Sequence, residues 1–92
     1  MIKHIHIKGK ERKTRNGENF ISWKAQKTDH TWDNLKFTMA VENAPDKAGH
    51  YIMIVDTVNM NRSQDDYGTV WWVKQVEEFA DFVPEDIASE EF

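Results

Sequence analysis

Apolar and polar residues alternate with a period of two along much of the chain, the spacing of β-strands with one buried face. In residues 2–9, Ile5 and Ile7 fall on one side, and His4, His6 and Lys8 fall on the other. Residues 18–27 and 31–41 alternate in the same way. The pattern therefore predicts three half-buried strands in the first half of the chain.

The third of these strands has an unusual polar side. Its buried side is complete, with Leu35, Phe37, Met39 and Val41. The opposite side, which should face water, carries Trp32 and Lys36 together with Asn34 and Thr38. Because the strand already has a full apolar side, we interpret Trp32 as exposed for binding rather than as part of the core.

Two more strands follow after polar connections. Residues 50–60 are apolar on both sides, which predicts a central or strongly curved strand, and residues 69–76 predict a fifth strand. Residues 61–68 are predicted to be a polar loop, and residues 77–82 either continue the fifth strand or form a short turn. Asn16-Gly17 closes the basic segment 10–17 and predicts a hairpin with a basic tip.

Five short strands without a convincing helix predict an all-β fold. The count suits a small five-stranded barrel of the oligonucleotide/oligosaccharide-binding (OB) type, with an SH3-like barrel as the nearest alternative. We assign residues 1–82 to this domain. Residues 83–92 shift to Pro, Asp, Glu and Ser, and we expect them to form a flexible acidic C-terminal tail.

Length and composition are consistent with this assignment. Ninety-two residues suit one domain, and the chain has no cysteine, which removes disulfide scaffolds and thiolate metal sites. We see no apolar run long enough for a membrane helix and no signal-peptide pattern, so we expect a cytoplasmic protein with no membrane partner.

The formal net charge of −4 conceals two halves of opposite sign. Residues 1–36 hold nine basic and four acidic residues, whereas residues 37–92 hold three basic and twelve acidic residues. Such asymmetry indicates a surface for nucleic acid together with an acidic tail. An ordinary solvated surface is the alternative.

Catalytic and metal-binding patterns are weak. The sequence has no Gly-rich phosphate loop, nucleophile elbow or zinc-protease pattern, so we predict no enzyme activity and no cofactor. His4 and His6 have a spacing that could share zinc, but no cysteine or acidic ligand accompanies them in the segment. We therefore predict no metal site and expect these histidines to add charge near phosphate.

Single-stranded nucleic acid is bound by cations that follow the phosphates and by flat rings on which bases stack. Trp32 is the best stacking candidate. For Trp23, Trp71 and Trp72 we favour packing in the core or in a dimer, while Trp72 stays a secondary stacking candidate. The predicted nucleic-acid-binding residues are Lys8, Lys10, Arg12, Lys13, Arg15, Phe20, Lys24, Trp32, Lys36, Tyr67 and Trp72.

Several segments taken together resemble the bacterial and phage single-stranded-DNA-binding proteins. Residues 31–37 look like the third-strand segment of that family, residues 47–54 like its entry into the fourth strand, and residues 67–73 like its return strand. The chain also ends in Glu90-Glu91-Phe92, similar to the acidic tail with a terminal Phe in that family.

The resemblance implies sequence-independent binding of single-stranded DNA, with RNA as the alternative ligand, and a tail that recruits replication or recombination proteins. The segment between strands three and four is too short for the family's usual helix, and the tail linker is nearly absent. These departures suggest a compact phage or mobile-element version acting in a bacterial host, and they leave open whether it forms a homo-oligomer. The tail residues implied to bind partners are Glu85, Asp86, Ile87, Glu90, Glu91 and Phe92.

A different class of function stays open from the sequence. The acidic second half would also suit a small protein-interaction module, for instance a phage inhibitor that imitates DNA on a host protein.

Overall fold

The computed structural model describes residues 1–66 and 68–82, which form seven strands of one mixed sheet. The strands are β1 (Ile2–Lys13), β2 (Asn19–Gln26), β3 (Trp32–Phe37), β4 (Gly49–Asp56), β5 (Met60–Asp65), β6 (Gly68–Val73) and β7 (Glu78–Asp81). The sheet order is β5-β6-β3-β2-β1-β4-β7, with β3 and β6 parallel and the other neighbours antiparallel. A 3₁₀ turn at Thr57–Asn59 joins β4 to β5.

The all-β class is confirmed, whereas the predicted count of five strands is wrong, and the seven strands form an open sheet and not a closed barrel. The segment predicted as a polar loop contains β5, and the segment left open after the fifth strand contains β7. Both are edge strands, and β5 has no apolar alternation because most of it is exposed to solvent. β5 is a strand because it pairs with β6, and β7 is a strand because it pairs with β4. Such pairing does not produce a recognisable pattern of residue types in the edge strand itself.

Two strands also end at residues other than those predicted. β1 continues through Gly9 to Lys13, so most of the basic segment belongs to a strand and only the turn after it forms the tip. β3 ends at Phe37, and Met39, predicted on the buried side, is 99% exposed. The chain leaves the sheet there because Val41 N–H donates to Thr38 C=O and closes a turn.

The main buried cluster lies on one side of the sheet and follows the predicted alternation. Trp23 is buried in the middle of β2, opposite Leu35 on β3 and Gly9 on β1. Its interpretation as a core residue is therefore confirmed. The buried cluster consists of Ile7, Trp23, Ala25, Leu35, Met53, Val55, Val73 and Val76.

Gly9 lets the Trp23 ring lie across β1. A Cβ atom at this position would lie 2.7 Å from both Ile21 Cγ2 and Trp23 Cζ3, closer than packed carbons approach. Gly9→Ala is therefore expected to lower the free energy of unfolding by about 1–3 kcal/mol, because the ring and the strand would have to separate. Thermal unfolding measures the change.

Lys10→Ala is the matched control for this prediction, since Lys10 is the next residue, is exposed and lies on the other side of the strand. We expect the control to change stability by less than about 0.5 kcal/mol. Equal melting temperatures for the two variants would show that the ring does not require a glycine there.

Candidate nucleic-acid interface

The side of the sheet opposite the core, which we call the outer face, carries most of the predicted binding residues. Strand register places Lys8 directly opposite Lys24 on β2 and His50 on β4. Lys24 in turn lies opposite Asn34 on β3, and residues at even spacing from these share the same side. The outer face contains His6, Lys8, Lys10, Arg12, Phe20, Ser22, Lys24, Gln26, Trp32, Asn34, Lys36, His50, Ile52 and Trp72.

Basic side chains surround a shallow concavity of about 230 Å³ on the outer face. Ser22 lies on β2, two residues before Lys24, and is paired with Lys10 on β1. Within residues 1–66 and 68–82 the ion pairs are Met1–Asp56 and Lys27–Asp33, and neither involves an outer-face cation. The cations are therefore held near each other without acidic partners from the described sheet. The lining residues are Lys8, Lys10, Arg12, Ser22 and Lys24.

Aromatic rings adjoin these cations. Lys8 Nζ lies 4.2 Å from the centre of the Trp32 ring, and Lys36 Nζ lies 5.3 Å from the centre of the Trp72 ring. Both distances are within the range of cation–π attraction. Trp72 is 38% exposed, so it is not part of the core, and its packing in a dimer stays a prediction. Phe20 is 45% exposed. The outer face thus offers rings beside positive charges.

The start of β3, which carries Trp32, is set by the tight turn at residues 28–30. His30 has a left-handed backbone (φ 68°), and Lys27 N–H donates to Thr31 C=O across the turn. The Asp29 carboxylate accepts hydrogen bonds from the hydroxyl and the N–H of Thr31, which lower the pKa of Asp29. These bonds fix the backbone one residue before Trp32.

A cluster around His6 was not predicted. His6 is buried, stacks on Phe82 with ring centres 3.9 Å apart and planes within 2°, and meets Trp32 edge-on at 5.1 Å. His6 Nε2 lies 2.8 Å from His50 Nδ1, and His6 Nδ1 lies 3.3 Å from Gln26 Oε1. Sequence spacing could not reveal this cluster because its members come from five different parts of the chain.

Other predicted residues lie elsewhere. Lys13 ends β1 and Arg15 lies in the following turn; both are exposed at the hairpin tip, away from the residues that line the concavity. Trp71 packs against the core, and its indole N–H donates to Asp33 at 2.9 Å, in keeping with a structural role. Outside the described residues lie Tyr67 and the tail residues Glu85, Asp86, Ile87, Glu90, Glu91 and Phe92.

In the part of the chain that the structure describes, no group of three or more His, Cys, Asp or Glu side chains is arranged to hold a metal ion. His4 and His6 lie on the same side of β1, but the hydrogen bonds of His6 run to Gln26 and His50. Among the same residues, no helix has the length and apolar character needed to cross a membrane.

No protein-family model, curated protein or solved structure matches the chain.

Proposed function

We propose that this protein binds single-stranded nucleic acid, with DNA as the first candidate, through the outer face and without sequence preference. One observation carries the proposal: cations, the exposed rings of Phe20 and Trp72 and the half-buried ring of Trp32 lie on the same side of one sheet. Outer-face cations have no acidic partner within residues 1–66 and 68–82, so phosphates would meet charges that are ready to pair. The residues concerned are Lys8, Lys10, Arg12, Lys24 and Lys36 for phosphates, and Phe20, Trp32 and Trp72 for bases.

The chemistry of this face suits a flexible single strand better than a duplex. Stacking on Trp32 or Trp72 requires a base whose flat side is free, which a paired base in a duplex does not offer. The cations of the outer face are mainly lysines, whose ammonium groups contact phosphates as point charges and lack the planar fork with which arginine recognises a base. Binding without sequence preference follows from both features.

We further propose that the sheet corresponds to an OB-type barrel in which β4 and β5 are two halves of one bent strand. Three observations support this: only the three-residue turn separates the two halves, β4 pairs with β1, and β5 pairs with β6. With the halves joined, the strands succeed one another around a ring as β1, β2, β3, β6 and β5–β4. OB-folds bind nucleic acid over the face of their second and third strands, and here that face carries Lys24 and Trp32.

The test is a fluorescence titration with an oligo-dT strand of about 20 nucleotides, longer than the ~4–16 nucleotides that one OB-fold covers. We expect tryptophan quenching that weakens steeply as salt increases, and weaker binding of a duplex of equal length. Absence of binding at ~50 mM salt would reject the proposal. If the protein does not bind DNA, and a variant that lacks residues 83–92 still retains host proteins in a pull-down, the protein would instead be the acidic interaction module.

We also propose that the acidic segment 83–92 recruits replication or recombination proteins in the cytoplasm of a bacterial host. The described chain ends at Phe82, which stacks on His6, so the segment begins at the margin of the outer face. Lys8 and its basic neighbours lie on that face. As a tethered polyanion, the segment would compete with nucleic acid for those cations.

Neutralising the acids of this segment in the full-length chain is expected to tighten oligo-dT binding by about tenfold at ~50 mM salt, because it removes a competitor held at high effective concentration. The gain should shrink at ~200 mM salt, where the charges are screened. Competitive titrations at the two salt concentrations measure it. The variant combines Glu85→Gln, Asp86→Asn, Glu90→Gln and Glu91→Gln.

The matched control neutralises Glu42→Gln, Asp46→Asn, Asp65→Asn and Asp66→Asn, which removes the same charge from the loop before β4 and from the end of β5. Tightening of equal size in the control would mean that only total charge matters and that the segment has no special position.

A further inference from the structure

A cleft opens where β1 and β2 diverge. β1 pairs with β4 from Ile2 onward, but its pairing with β2 begins only at Ile7, opposite Ala25. The start of β1 and the end of β2 therefore line an opening of about 610 Å³, together with Trp71 and with residues of the turn between β4 and β5. This volume lies within the range of about 300–1,000 Å³ found for small-molecule sites.

The walls of the cleft are largely apolar. Apart from Ile52 on the outer face, the apolar lining residues belong to the buried cluster or pack against it. The indole N–H of Trp71 donates to Asp33 at 2.9 Å, which holds the ring in place. The cleft thus presents a fixed indole ring and aliphatic carbon, which suit a flat apolar ring. The apolar lining residues are Ile5, Ala25, Ile52, Met60 and Trp71.

The mouth of the cleft carries positive charge. Lys3 and Lys27 line the cleft and are exposed. Lys27 lies 3.6 Å from the Asp33 carboxylate, whereas Lys3 takes part in no ion pair within residues 1–66 and 68–82. A ligand anion at the mouth would therefore find a cation in Lys3, and both groups could keep their contact with water.

We infer that the cleft binds a small aromatic carboxylate, with the aromatic ring beside Trp71 and Met60 and the carboxylate at Lys3. The change from buried carbon to exposed cation favours this class of ligand. A neutral apolar molecule would leave Lys3 without a partner, and a purely polar anion would leave the apolar walls in contact with water. The site does not depend on the proposed nucleic-acid binding, which uses the cations of the outer face.

The test is isothermal titration calorimetry of the full-length chain with naphthoate, a carboxylate on two fused aromatic rings. We expect saturable binding of one molecule per chain, about two- to fivefold tighter than binding of the uncharged naphthamide, because an exposed ion pair contributes about this much. Octanoate carries the same carboxylate on an aliphatic chain and should bind more weakly. Absence of saturable naphthoate binding, or tighter binding of octanoate, would overturn the inference.

The charge at the mouth is tested by a pair of lysine variants. Lys3→Gln should abolish the advantage of naphthoate over naphthamide. Lys47→Gln should keep it, because Lys47 is exposed in the loop before β4 and does not line the cleft. An advantage that persists in Lys3→Gln, or that is lost equally in Lys47→Gln, would contradict the proposed position of the carboxylate.

The apolar wall is tested by a pair of methionine variants. Met60→Gln places an amide of similar length in the half-buried wall and should weaken naphthoate binding by about three- to tenfold. Met39→Gln changes a position that is 99% exposed and should leave binding unchanged. Thermal unfolding shows whether each variant is folded, and the lysine pair decides the question if Met60→Gln is not, since it alters only exposed side chains.

Discussion

Trp32→Ala is expected to weaken oligo-dT binding by about 1–3 kcal/mol, or roughly 5- to 150-fold, since each stacked base contributes about this much. The Trp32 ring makes a T-shaped contact with His6 at 5.1 Å and lies 4.2 Å from the ammonium group of Lys8, so it is already oriented before a base arrives. Little side-chain entropy then remains to be lost on binding. Fluorescence anisotropy of a labelled oligo-dT strand measures the loss without depending on the missing tryptophan.

Two variants show whether such a loss comes from stacking. Trp32→Phe keeps a flat ring and should retain most of the affinity. Val58→Ala removes an exposed apolar side chain at the turn between β4 and β5 and should leave affinity unchanged. If Trp32→Ala binds like the wild type while its melting temperature is preserved, the bases stack elsewhere, and Trp72 and Phe20 become the next candidates.

The second large effect concerns the cations of β1. Neutralising Lys8→Gln, Lys10→Gln and Arg12→Gln together is expected to weaken oligo-dT binding by about a hundredfold at ~0.1 M salt. The slope of log affinity against log salt should decrease in magnitude by about 2, because each phosphate contact on a single strand contributes about 0.7. Titrations at four salt concentrations give both quantities.

The matched control changes two lysines and one arginine away from the outer face, namely Lys3→Gln, Lys47→Gln and Arg62→Gln. Lys3 lies on the core side of β1, Lys47 lies in the loop before β4, and Arg62 approaches the Trp71 ring from β5. Both triple variants have the same net charge. Equal salt slopes in the two would contradict a localised binding face and would leave only a general charge effect.

The alternation of residue types was enough to separate the two sides of the central strands. Trp23 was assigned to the core and Trp32 to the opposite side from the pattern alone, and the structure places both there. The pattern predicted the ends of strands and the edge strands less accurately. Met39 continued a regular alternation yet is exposed, because the chain turns after Phe37 without a glycine or proline.

Which candidate residues lie next to one another could be determined only from the register of the sheet. Lys8 and Lys24 are sixteen positions apart in the chain but lie directly opposite each other on β1 and β2. His6 and His50 are forty-four positions apart but are joined by a hydrogen bond. The sequence pattern assigns no role to Phe82, although its ring stacks on His6. Nothing in the local sequence around these residues specifies such neighbours, since pairing partners depend on the turns and on the packing of the whole core.

The sequence by itself determined that the chain is all-β, that its basic residues precede its acidic ones, and that Trp32 and Lys36 share a polar side. These are local properties, because side-chain direction in a strand alternates residue by residue. Only the tertiary structure decided that β5 and β7 exist, that Trp72 is exposed, and that the lysines of β1 and β2 surround one concavity next to a histidine pair. These features arise from contacts between segments far apart in the chain, which form only when the complete sheet buries its core.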